Sequence, residues 1–179
     1  MANQSTSSLL RVNIMNVKQK NNDLNELQYF DDFLDSLNGN NIKKEMMKLK
    51  KLKPMTISHL KSIYNLGVKL YSSMQLKEAE MVFLSYSVLS PYDHRGLGGL
   101  AAIHLEKKEY RKALDILNTV KTYPTCHIDE VFLDIAFCHY KLDEHVNASL
   151  VFIIVKPECL TDFYFSRYQY LQNQLKSYF

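Results

Sequence analysis

Five glycines and four prolines in 179 residues are too few turn and breaker residues for the many short strands of a sandwich or the alternating units of a doubly wound sheet. An all-α chain remains. No apolar run approaches the roughly 20 residues that cross a bilayer. The opening MANQSTSSLLRVNIMNVKQK has no basic start followed by an apolar block of about 7 to 15 residues, so a secretory signal is not expected. The three cysteines, Cys126, Cys138 and Cys159, are an odd number and suit thiols used as small core hydrophobes in a reducing compartment. A net charge of +3 forces neither a nucleic-acid nor a membrane partner.

Chemistry is equally sparse. There is no phosphate-cradling glycine loop, no Gly-x-Ser-x-Gly elbow and no His-Glu-x-x-His. Gly96-Leu97-Gly98-Gly99 is too short and follows no strand. Cys126-His127 and Cys138-His139 recur at a 12-residue step, which lacks the two- to four-residue spacing of zinc ligands, so packing is the better reading. No carboxylate pair stands out from solvated helix faces. The chain reads as a non-enzyme with no metal and no cofactor.

What it does contain is a repeat. Ala79 followed by Phe83 recurs as Ala113 followed by Leu117 and as Ala148 followed by Phe152, at separations of 34 and 35 residues. That is the period of a tetratricopeptide helix-turn-helix unit. A helix pair packs closely only where one helix offers a small residue to the other's large one. Leu66-Gly67, Leu100-Ala101 and Ile135-Ala136 supply a large-small pair on each leading helix, while Pro91, Pro124 and Pro157 follow the trailing ones.

In chain order, residues 1–22 are rich in Ser, Asn and Gln and are expected to order only on contact, if at all. Residues 23–54 hold two helices of opposite charge. The first is acidic, with Leu24, Leu27, Phe30, Leu34 and Leu37 on one face; the second is a lysine-rich amphipathic helix over 42–53, with Ile42, Met46 and Leu49 aligned. The lysines are read as a solvated face, as partners for the acidic helix or an acidic protein, or as a weak nucleic-acid signal. Residues 55–157 form the three pairs, with helices expected at 57–73, 76–89, 94–106, 110–121, 127–142 and 144–155, and Thr56 capping the first. Residues 158–179 supply a capping helix at about 160–177. The expected fold is all-α: three tetratricopeptide-like helix pairs in a curved solenoid, with amino-terminal helices and a carboxy-terminal cap.

Leading helices line the concave side of such a stack. Repeat register puts Tyr64, Val68 and Tyr71 there in unit one, Gly98, Ala102 and Leu105 in unit two, and Leu133, Phe137 and Tyr140 in unit three. Large groups flank a small-residue floor, leaving dents for apolar side chains of an extended segment. Clamping of a terminal carboxylate is less suited, because Lys61, Asn65 and Arg95 are the only nearby donors.

Tyr64-Asn65-Leu66-Gly67-Val68-Lys69-Leu70-Tyr71, then Glu78-Ala79-Glu80, Phe83 and Leu89-Ser90-Pro91-Tyr92-Asp93 resemble the first repeat of the class II chaperones of bacterial type III secretion. Gly96 to Ala101 with Lys112-Ala113-Leu114 resembles their second, and Ala136 to Leu142 their third. The chain departs from the pattern at Met74, Lys108 and Asp143, where the family has glycine, and at Leu89-Ser90-Pro91, where it has Leu-Asp-Pro. The resemblance implies a bacterial cytoplasmic chaperone whose groove holds a hydrophobic translocator. It also implies a homodimer through the amino-terminal helix, carried over to Leu27, Phe30 and Leu34. The longer front of this chain leaves a needle or export-gate client open. A scaffold that docks a folded partner in a secretion or regulatory complex is the alternative.

Overall fold

The computed structural model describes Gln28, Ile42 and residues 55–179. At Thr56 the chain turns helical through a reciprocal cap. The Thr56 hydroxyl accepts from the His59 amide at 3.2 Å, and His59 Nδ1 accepts from the Thr56 amide at 3.4 Å. Helix α1 spans Ile57–Ser72, α2 Leu76–Leu89, α3 Arg95–Glu106, α4 Tyr110–Val120, α5 Ile128–Lys141, α6 His145–Phe152 and α7 Asp162–Leu175. Short 3-10 turns follow α6 and α7 at Pro157–Cys159 and Lys176–Tyr178.

The helices pack as consecutive pairs, α1 on α2, α3 on α4 and α5 on α6, and each trailing helix also packs on the next leading one. In addition α1 meets α3, and α5 meets α7. The small positions read from the sequence, Ala79, Ala113 and Ala148, are each fully buried. Phe83, Leu117 and Phe152 are buried beside them.

Every pair turns on one residue in the left-handed region: Met74 at φ 60°, Lys108 at 59° and Asp143 at 60°. These are the positions where the sequence departs from glycine. The turn closes identically each time, with the amides of Gln75, Glu109 and Glu144 donating to the carbonyls of Leu70, His104 and His139 at 2.8–2.9 Å. Backbone geometry is thus kept at a cost that glycine would not incur.

Three apolar clusters run along the array. The first joins Ile63, Leu66, Phe83, Tyr86 and Ile103, the second Leu114, Leu117, Val131 and Ile135, and the third Leu133, Phe152, Leu171 and Leu175. Ile42 is helical and fully buried in the first. The rest of the lysine-rich helix, the acidic helix apart from the exposed helical Gln28, and the segment 1–22 lie outside the described residues, as do Leu27, Phe30 and Leu34.

Helix ends differ from expectation around unit three. α6 stops at Phe152 rather than Val155, where the ladder tightens to a bond from the Val155 amide to the Phe152 carbonyl and the Lys156 amide turns to Asp129 Oδ1 at 2.8 Å. α7 begins at Asp162 rather than Leu160, because Thr161 is held by Glu130, whose Oε1 accepts from its hydroxyl at 2.9 Å.

Candidate partner-binding groove

Tyr64, Val68 and Tyr71 follow one another along α1. Tyr64 is half-buried, its ring 5.9 Å from that of Phe83 and 5.7 Å from that of Tyr86. Val68 is 39% exposed. The Tyr71 hydroxyl donates to Glu106 Oε1 at 3.2 Å, and burial, with the Glu106 charge behind it, pushes the phenol up to about 12. The Arg167 charge acts against this shift and the Asp134 charge adds to it, each to a lesser degree.

Unit two forms the floor. A Cβ added to Gly98 would meet nothing within 4 Å, whereas one on Gly99 would meet Phe83 ring carbons at 2.7 Å. One glycine of the pair makes room in the groove and the other makes room for the core. Below Gly98 lies a cavity of about 170 Å³, bounded by Ala102, Leu117, Val120 and Val131, with His94, Glu130, Asp134 and Tyr164 at its polar side. Leu105, the third position assigned to this unit, is half-buried against the second cluster.

Arg95 does not serve as a free anion clamp. It donates to Asp93 Oδ2 at 2.6 Å and lies over the Tyr64 ring with its guanidinium carbon 5.2 Å from the centroid. This guanidinium holds the Asp93 carboxyl well below the usual carboxylate range. Tyr86 donates to the same oxygen at 2.6 Å, and burial, assisted by Asp93, pushes that phenol up to about 12. A carboxylate ligand would have to displace Asp93.

Unit three is partly covered by α7, leaving Phe137 and Tyr140 half-buried. Leu133, expected to line an open hollow, is fully buried against Leu171 and Leu175 of α7. The Tyr140 hydroxyl donates to Gln174 Oε1 at 2.9 Å, and Arg167 sits 4.9 Å from the Phe137 ring centroid. Arg167 also pairs with Asp134, which accepts from the Tyr164 hydroxyl at 3.1 Å. Burial pushes the Asp134 carboxyl up although Arg167 and Tyr164 oppose the shift. Gly98 and the cavity that it lines are thus open, while α7 covers Leu133 of α5.

Solved structures share this arrangement. PcrH from Pseudomonas aeruginosa superposes with a TM-score of 0.58 at 19% identity, covering 69% of this chain and 94% of that one. The type III secretion translocator chaperone SycD of Yersinia enterocolitica gives 0.59 at 19% identity, over 69% and 86%. PcrH in complex with the chaperone binding region of PopD gives 0.60 at 19% identity, over 71% and 96%. The fold is that of the translocator chaperones. No family model matches the sequence, and neither does any curated protein.

Within this chaperone fold, the sequence reading missed Asp134, Tyr164 and Arg167. The available signal was Asp134 itself, a carboxylate set between Leu133 and Ile135 on an apolar leading helix. Such a position requires a partner from elsewhere in the chain. Cys138 is buried in the second cluster, and among the described residues no group of three or more His, Cys, Asp or Glu could hold a metal ion. Among the same residues no helix is long and apolar enough to cross a membrane.

Proposed function

We propose that this protein is a type III secretion chaperone of the bacterial cytoplasm. It holds a hydrophobic secreted partner, a translocator or another substrate of the apparatus, in the groove of its repeats before export. The single observation that carries this reading is the open space at Gly98 and the cavity that it helps to line. Its volume of about 170 Å³ suits one apolar side chain of leucine or methionine size. Burying such a group contributes roughly 1.5–3 kcal/mol. Several anchors spaced along an extended segment would add up to stable capture. The mechanism is occupancy: covered apolar segments cannot aggregate or assemble early, and neither ATP nor covalent chemistry is involved. PcrH, of the same fold, is seen with the chaperone binding region of PopD, which supports a segment-binding role.

Homodimerisation through the amino-terminal helix, with Leu27, Phe30 and Leu34 at the contact, is part of the same proposal. The test is site-specific photo-crosslinking in the native cell. A photoreactive side chain at Gly98 is expected to form an adduct with a secreted apolar protein, and one at Asn118, on the outer face of α4, is not. Equal labelling from both positions would remove the groove from the function.

A further inference from the structure

The outer faces of the trailing helices differ in chemistry. Repeat register aligns Arg111, Asp115 and Asn118 of α4 with Val146 and Leu150 of α6 and with Ile153, the residue just past its end. On α4 these outward positions are polar. On α6 they are apolar and open: Val146 is 65% exposed, Leu150 63% and Ile153 64%, with Ile154 at 52%. The opposite face of α6 carries buried Ala148 and Phe152, so this helix is apolar on both sides. A helix of that kind is ordinarily covered all round. The patch continues along one flank, where the Tyr178 ring lies 5.0 Å from His145 and the Phe179 ring 5.8 Å from Phe152. Both aromatic side chains are themselves about half exposed.

We infer that the outer face of α6 is a contact between two copies of this chain, packed antiparallel about a two-fold axis near Leu150. Charge decides the occupant and its direction. Asp143, its side chain 94% exposed, stands just before α6, and exposed Lys156 stands just after it. A two-fold antiparallel crossing sets Asp143 of each copy against Lys156 of the other, so the surface is complementary to itself. A parallel arrangement would set like charges together. The exposed apolar side chains present on the order of 500 Å², below the roughly 800 Å² per partner of a standard interface, so the contact is weak and concentration-dependent. It is separate from the groove and does not depend on what the groove binds.

Sedimentation equilibrium of the full chain and of its Phe30→Asp variant tests this, the variant removing any dimer formed through the amino-terminal helix. In the variant, mass is expected to rise from one chain toward two with concentration, and Leu150→Asp to weaken that association at least tenfold. Asp143→Lys and Lys156→Asp should each weaken it severalfold and restore it when combined. Leu150→Cys, placed in a chain with Cys126 and Cys159 changed to serine, should form an intermolecular disulfide, and Asp115→Cys should not. The inference is overturned by a single-chain mass at every concentration, by association that Leu150→Asp leaves unchanged, or by equal crosslinking from both cysteine positions.

Discussion

The ring of Phe83 occupies the place where a side chain on Gly99 would begin, its carbons 2.7 Å from the Cβ that glycine lacks. The same ring bears on Gly67 of α1 at 2.7 Å, so two leading helices close on one trailing phenylalanine. Gly98, the next residue along, has open space instead. Alanine favours a helix over glycine by about 1 kcal/mol, so the two neighbours should respond with opposite sign. We predict that Gly98→Ala stabilises by about 0.5–1 kcal/mol, and that Gly99→Ala destabilises by about 1–3 kcal/mol through overpacking. Urea unfolding midpoints measure both. The same sign for the two would mean that Phe83 is not clamped as described.

The three left-handed turn residues give a second expectation. Met74 is 65% exposed at φ 60°, so its side chain contributes little to set against the strain. Met74→Gly should stabilise by about 0.5–1 kcal/mol, the conformational cost being of order 1–2 kcal/mol less the extra chain entropy glycine loses. A thermal melt that moves down would contradict this.

Acid sensitivity follows from Glu144. Hydrogen bonds from His139 and then Arg111 lower its carboxyl from 4.5 to about 2. A folded pKa below the unfolded one contributes stability that is full above the unfolded value and lost as pH falls through the folded value. The loss should therefore develop between pH 4.5 and 2. Asp93, depressed by Arg95, adds to it in the same direction. Glu144→Gln should flatten the acid limb of stability against pH. An unchanged limb would mean that the carboxylate is not held by His139 and Arg111.

Asp134 is 6% exposed, and the partners that offset its burial, Arg167 and Tyr164, both come from α7. Arg167→Ala should cost about 3–5 kcal/mol by stranding a buried charge, while replacing Asp134 and Arg167 together by leucine and methionine should be near neutral or stabilising. Hydrogen exchange should show α7 opening in the single variant and protected in the double one. Protection in both would show that Leu171 and Leu175 alone secure the helix.

Much of the fold was legible because a repeat states the same packing three times. Ala79, Ala113 and Ala148 are buried where a 34- to 35-residue period puts them, and Thr56 caps α1 as its hydroxyl suggests. Register also gives α1, α3 and α5 an expected inward side. It could not tell that Leu133 is covered, since the covering side chains lie some forty residues downstream on a helix outside the repeat. A cap is recognisable from its apolar stripe, but the side from which it leans on the array depends on Arg167 meeting Asp134. Periodicity does not encode such a meeting.

The groove claim is tested most directly by filling the hollow. Gly98→Leu with Ala102→Leu places two side chains into open space and the cavity below, away from the Phe83 contact. The measurement is the soluble fraction of a co-expressed secreted apolar partner, beside the melting temperature of the variant itself. The account predicts a folded variant whose partner aggregates or is degraded, while the unaltered protein keeps it soluble. A folded variant that protects the partner as well as the unaltered protein does would contradict it.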